Sequence, residues 1–191
     1  MNNPSVARAP LGPKQGDRVV PTDKKSITAD EAQDCFSGFP VVLGTVSGEK
    51  DNIITLAMCH VFSFKPPLIG IGVGHKRYSY GLLKASDDFA VNIPDRKMLA
   101  AVEVCGSKSG RRVDKFAAAN LTRENASRIK APLIAECPVN IECVKVKEAE
   151  AGDHVWFIGE VVAARRKEGY DRMKDMLLYW GDYRVMGEKV G

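Results

Sequence analysis

Between Asn52 and Ser79 the chain runs Asn-Ile-Ile-Thr-Leu-Ala-Met-Cys-His to position 60, then Pro66-Pro67, then Leu-Ile-Gly-Ile-Gly-Val-Gly to Gly74, then His-Lys-Arg-Tyr-Ser to Ser79. Side chains alternate along a strand, so Gly70, Gly72 and Gly74 share one face. Such a face either bends a barrel corner or leaves room for a flat ring. Lys76, Arg77 and Ser79 then bring cations and a hydroxyl to the start of a helical turn, where free backbone N–H groups already favour anions. Taken separately, that run is either a solvated loop or a phosphate site. Together with the glycine strand it reads as a site for a phosphorylated aromatic cofactor.

Other chemistries fit less well. Gly70, Gly72 and Gly74 lie close to a dinucleotide spacing, but no helix of ordinary length follows, and no phosphate-loop signature for a nucleoside triphosphate occurs. His60, His75 and His154 stand at no metal-ligand spacing with cysteines or carboxylates, so no metal is expected. Cys59 and His60 are neighbours in a strand and point to opposite faces, which separates a thiolate from an imidazole. His154 follows Gly152-Asp153, ordinary turn chemistry between strands, and is either a turn residue or a functional one.

The elements that hold these residues belong to one domain. The chain has 191 residues, 45% hydrophobic and 27% charged, enough for a single well-cored unit at residues 31–191 behind an N-terminal arm at 1–30. The net charge of +4 and pI near 8.8 are mild and unstriped, which argues against nucleic acid as a partner. Residues 1–25 carry four prolines among basic residues and lack the apolar core of a secretory signal. No apolar run approaches the roughly 20 residues of a membrane span. Five cysteines without Cys-x-x-Cys spacing suit reduced thiols, so the expected location is cytoplasmic. Cys137 and Cys143 would lie about 20 Å apart on one strand, too far for a bridge. The sequons at Asn120 and Asn125 are then incidental.

Strand signals cover 39–47, 52–63, 68–73, 88–93, 138–147 and 154–165, with a closing strand at 183–186. Short helices are expected at 80–85, with Ser79 as N-cap, at 98–105, and at 111–120 with Phe116 inward. A turn is expected at 148–153 and a final helix at 170–180. Strands in antiparallel runs with helices between them predict a mainly β fold with peripheral short helices, an antiparallel barrel that protects its edges.

Several segments, in order and spacing, resemble the flavin reductase-like, FMN-binding split-barrel family, especially its flavoredoxin branch. They are Asn52 to Thr55, Pro66-Pro67, Arg77 to Ser79, Phe89 to Asn92, Ser109 to Phe116, Gly152 to His154 with Ile158 to Val161, and Tyr183 to Gly187. The resemblance spans about residues 36–188 and implies a homodimeric split β-barrel with noncovalent FMN. It implies that Asn52, Thr55, Leu56, Ala57, Met58 and Cys59 line the ring system, and that His75, Lys76, Arg77, Tyr78 and Ser79 hold the phosphate. It places His154 near the redox face, where it would guide a nicotinamide. Met58-Cys59-His60 departs from the small hydroxyl residue and aromatic that many members carry after the threonine.

Three functions remain open at this stage. One is an FMN-dependent oxidoreductase that moves electrons from a donor such as NADH or NADPH to an acceptor. Another is an electron-transfer flavoprotein that docks with redox proteins and has no nicotinamide site. A third is a barrel for another group, such as haem, with His60 or His75 as axial ligand.

Overall fold

A computed structural model describes residues 26–35 and 38–187. The proline-bearing lead-in at 1–25, most of the expected arm, lies outside the described residues. The described stretches 26–35 and 38–187 fall in two separate units. Within the first, α1 (Ala29–Asp34) starts at a reciprocal cap. Glu31 N donates to Thr28 Oγ1 at 3.2 Å while Thr28 N donates to the Glu31 carboxylate at 2.7 Å.

The second unit begins with β1 (Phe39–Pro40), β2 (Val42–Val46), β3 (Asn52–Leu56), β4 (Cys59–Phe64) and β5 (Pro67–Gly74). After α2 (Tyr78–Ala85) and β6 (Asp88–Ile93), a 3₁₀ turn leads into α3 (Leu99–Ser107), then α4 (Lys115–Ala118), β7 (Arg123–Glu124) and β8 (Leu133–Ile134). The long strands β9 (Val139–Ala151) and β10 (His154–Arg166) follow, then α5 (Arg172–Asp175), β11 (Leu177–Trp180) and β12 (Asp182–Val185). Seven strands make one antiparallel sheet in the order β3-β2-β6-β9-β10-β5-β4.

The two outermost strands of that order, β3 and β4, are separated in sequence only by Ala57 and Met58. A link that short reaches about 10 Å, so the ends of the sheet must meet and the sheet must curl. Gly72 N donates to Met58 O at 2.8 Å and ties this corner down. The result is the mainly β, antiparallel split barrel with short peripheral helices that the sequence predicts. Among the described residues no helix is long and apolar enough to cross a membrane.

Alternation along β2 and β3 decides what each face buries. Val42, Val46, Ile54 and Leu56 face the barrel interior with Phe89, Phe157, Ile71 and Val73. Leu43 and Ile53 face the other way, onto Val102 and Cys105 of α3, Phe116 of α4 and Leu177 of β11. Both faces are covered, so every residue of β2 is buried. Each such large side chain contributes about 1.5–3 kcal/mol of transfer free energy. α3 and α4 are thereby clamped against the strand that carries Asn52 and Thr55.

Several expected boundaries change. The single strand at 52–63 is two strands broken at Ala57-Met58, the corner that closes the barrel. α2 begins at Tyr78 with Arg77 as its N-cap, and Ser79 lies inside the first turn. The helix expected at 111–120 shrinks to Lys115–Ala118, with Phe116 inward as expected. β9 runs through Ala151, so the turn is only Gly152-Asp153; Gly152 takes φ +64 at the first position of a two-residue hairpin. The final helix expected at 170–180 is one turn, Arg172–Asp175, followed by a strand. Leu177–Trp180 pairs with Phe39–Pro40 on one side and with β12 on the other, after a turn at Gly181, φ +78. Leucines and aromatics suit either element, and the distant partner decides.

Candidate functional site

Where β3 leaves the barrel wall it borders a cleft of about 450 Å³ between the α2 N-terminus and the end of α3. Four cations, Lys76, Arg77, Lys108 and Lys115, line it together with Ser79, Ser107 and Ser109, and no described carboxylate does. That concentration of positive charge suits a multiply charged anion. Thr55, Leu56, Ala57, Met58, Gly74, His154, Tyr179 and Trp180 add backbone, apolar and aromatic groups to the lining. An adjoining recess of about 440 Å³, lined by Val41, Glu103, Tyr179 and Tyr183, shares Thr55 to Ala57 and Gly106-Ser107 with the cleft.

Local chemistry explains how these groups are held. Asp114 accepts from Phe116 N at 2.9 Å and caps α4, which carries Phe116 into the core and Lys115 inward. Arg123 bonds both Asp114 oxygens and lies 4.1 Å over the Phe116 ring, so that acid is already engaged. Lys115 Nζ donates to Ile53 O at 2.8 Å and Cys105 O at 2.6 Å, stapling β3 to the end of α3. Burial holds its ammonium below the usual lysine range, opposed in part by Cys105 and aided least by Arg77. Asn52 Nδ2 donates to Ser79 Oγ at 2.7 Å, and both residues are 2% exposed. Among the described residues Asn52 Oδ1 has no partner. A Cβ on Gly110 would collide with it, so glycine is needed there to let the loop after α3 close on β3.

The structure gathers most of the expected residues. Asn52, Thr55, Leu56, Ala57, Met58, Lys76, Arg77, Tyr78, Ser79 and His154 all line the cleft. Thr55 arrives with its hydroxyl committed, because Oγ1 donates to Val102 O at 2.7 Å and keeps only acceptor capacity. His154 Nδ1 lies 2.7 Å from Asp153 Oδ1, and its Nε2 approaches Gly74. The hydrogen bond to His154, with its charge, holds the Asp153 carboxyl below the usual range.

Cys59 and His75 are not in the lining. Cys59 packs against the barrel core, and burial pushes its thiol up to about 12. His75 sits edge-on to Tyr80, ring centroids 5.2 Å apart. The glycine face is also less open than its alternation implies. The Phe62 ring occupies the space beside Gly70, Met58 Cβ comes within 2.9 Å of a Cβ built on Gly72, and only Gly74 has ordinary clearance. A flat ring therefore has the Gly74 end rather than the whole strip.

Sequence reasoning assigned no site role to Ser107, Lys108, Ser109, Gly110, Lys115, Tyr179 or Trp180. The first four repeat the cation-and-hydroxyl chemistry of residues 76–79 and were open to the same argument. Lys115 and the aromatic pair had no local signal; α4 and the β11 pairing bring them in.

Comparison with known proteins bears on the family of the chain. A family model described as flavin reductase like domain matches residues 34–187. A protein of Archaeoglobus fulgidus is 36% identical over 135 residues, covering 70% of this chain and 76% of its own. An NADH-dependent FAD reductase of Streptomyces globisporus is 31% identical over 152 residues, covering 78% and 81%. Among solved structures, flavoredoxin from Methanosarcina acetivorans superposes with a TM-score of 0.75 at 26% identity, covering 92% of this chain and 94% of the other. With the family model spanning residues 34–187, and so the whole barrel, the chain belongs to the flavin reductase-like family.

Proposed function

We propose that this protein is an oxidoreductase that binds FMN noncovalently in the cleft and moves electrons from NADH or NADPH to an acceptor. The carrying observation is the make-up of the cleft lining, four cations and three serine hydroxyls without a described carboxylate, together with apolar and aromatic groups. A phosphate suits the first and a flat ring the second. When bound, the flavin supplies the two-electron chemistry.

The chain's own residues bind and orient it. Lys76, Arg77, Lys108 and Ser79 hold the phosphate, with Tyr78 kept in place by Arg111, 5.5 Å from its ring centroid. Backbone groups from Thr55 to Met58 face the ring, and Tyr179 and Trp180 exclude water from it. His154, oriented by Asp153, guides the nicotinamide to the ring at the Gly74 end. The FAD reductase relative supports a nicotinamide donor. Val61, Phe62 and Phe64 on the edge strand β4, the last 86% exposed, support a homodimer. Five free thiols support work in the cytoplasm.

Anaerobic reduction tests the reading. The FMN-loaded protein should bleach on addition of NADH or NADPH, and His154→Ala should slow bleaching about tenfold or more, as expected when substrate positioning is lost. Bleaching only by a reduced protein donor would replace the enzyme with an electron carrier.

A further inference from the structure

The cleft gathers cations, and the recess beside it does the opposite. Its lining holds one carboxylate, Glu103, the phenols of Tyr179 and Tyr183, and apolar Val41 and Leu56, with no cation. Register accounts for the two rings. Tyr179 on β11 stands directly opposite Tyr183 on β12, so both project from one face of the hairpin, with centroids 4.9 Å apart and planes tilted by 53°. Asp182 and Arg184 alternate to the other face and bond each other at 2.7 and 2.9 Å, so that arginine is already engaged. On α3, Glu103, Gly106 and Ser107 fall at i, i+3 and i+4 and form one strip along the recess, while Val102 and Cys105 turn to the core. Among the described residues the Glu103 carboxylate enters no ion pair. Its charge reaches Tyr183: burial raises that phenol's pKa most, and Tyr179 and then Glu103 add to the rise, so Tyr183 stays neutral. Two tilted aromatic faces beside an unpaired carboxylate suit an organic cation, because the rings attract its apolar shell and the carboxylate balances its charge. The volume of about 440 Å³ is that of a small-molecule site.

We propose that this recess is a second binding site, for a small organic cation, with Tyr179 and Tyr183 against its head group and Glu103 balancing its charge. The inference goes beyond the flavin reading and uses neither the cations of the cleft nor a phosphate. Like charge bars such a ligand from the cleft, so charge sorts two ligands between adjoining cavities. Thr55, Leu56 and Ala57 border both, so an occupant of the recess lies beside whatever fills the cleft.

Calorimetry on the full chain, flavin-free and FMN-loaded, tests this with benzyltrimethylammonium as probe and with benzyl alcohol and benzoate as neutral and anionic counterparts. Wild type should bind the cation about fivefold or more tightly than benzyl alcohol and should not take benzoate. Glu103→Gln should weaken the cation about threefold and leave benzyl alcohol within about twofold, the modest size reflecting an exposed, screened carboxylate. Tyr183→Leu should weaken the cation about fivefold. Benzoate bound as well as the cation, or a cation affinity unchanged in either variant, overturns the proposal. Tyr183 also packs on the core, so should Tyr183→Leu not fold, the Glu103→Gln result decides alone. Cation binding that requires FMN and survives Glu103→Gln would place the probe on the flavin and overturn the proposal as well. Protein that takes up no flavin yet binds the cation with this dependence on Glu103 would remove the flavin reading and leave the recess standing.

Discussion

Two buried asparagines in one sheet are satisfied in opposite ways. Asn92 on β6 is fully buried and complete. Its Nδ2 donates to Leu43 O at 3.0 Å and Thr45 Oγ1 at 3.1 Å, and its Oδ1 accepts from Ile134 N at 3.2 Å and Asn140 Nδ2 at 2.8 Å. Glu142 and Asp88, nearby on β9 and β6, take backbone N–H groups from residues 127–131 and strap that irregular segment to the sheet. Asn52 on β3 is as buried, yet among the described residues its carbonyl oxygen has no donor. A buried polar atom without a partner costs about 1–3 kcal/mol. The fold avoids that cost around Asn92 and accepts it at the cleft, so the two regions divide stability from binding.

Substitutions can break this division. The largest effect is expected from Asn92→Leu, which strands Ile134 N and the Asn140 amide together: about 3 kcal/mol of stability lost in denaturant unfolding. A loss under 1 kcal/mol would show that the network is not a structural strap. Next comes Arg77→Ala on the exposed side of the cleft. FMN affinity should fall about thirtyfold with stability unchanged within about 0.5 kcal/mol, as expected for losing a charge-assisted contact from a surface residue. Unaltered affinity by calorimetry would move the phosphate away from α2.

The smallest concerns Glu142, whose dependence on pH follows from its partners. Burial pulls its pKa up, but the Ser127 and Arg128 amides outweigh this and hold the carboxyl below its ordinary value. A depressed folded pKa means stability that is present above the unfolded value, near 4.3, and lost as pH falls through the folded one. Glu142→Gln should therefore cost about 1.5 kcal/mol at pH 7 and progressively less below about pH 4. A gap that stays constant across that range would show that shape, rather than charge, holds the strap.

Much of the site was legible because its chemistry is local. Lys76, Arg77 and Ser79 sit on one short turn, and the strand periods around them identify the wall of the cleft. Ser107 to Gly110 was legible by the same reasoning, as a second cation-and-hydroxyl run after a helix. Lys115 was not, because a lysine inside Asp-Lys-Phe looks like any surface lysine until the Asp114 cap turns it inward. Tyr179 and Trp180 were hidden by an apolar run whose helical and extended readings differ only through the pairing of β11 with residues 39–40 and 182–185. The Gly70 face was misjudged for a similar reason, since alternation tells which side a residue faces but not that Phe62 lies across it.

By itself the sequence determined the mainly antiparallel architecture, through the period of its strands, and the family, through segments that resemble it in order and spacing, while the anion-binding corner is proposed from residues close together in the chain. Tertiary structure alone decided which polar groups stay unsatisfied. Whether a buried amide or ammonium finds a partner depends on elements 27 to 62 residues distant in sequence, and no local pattern records that distance.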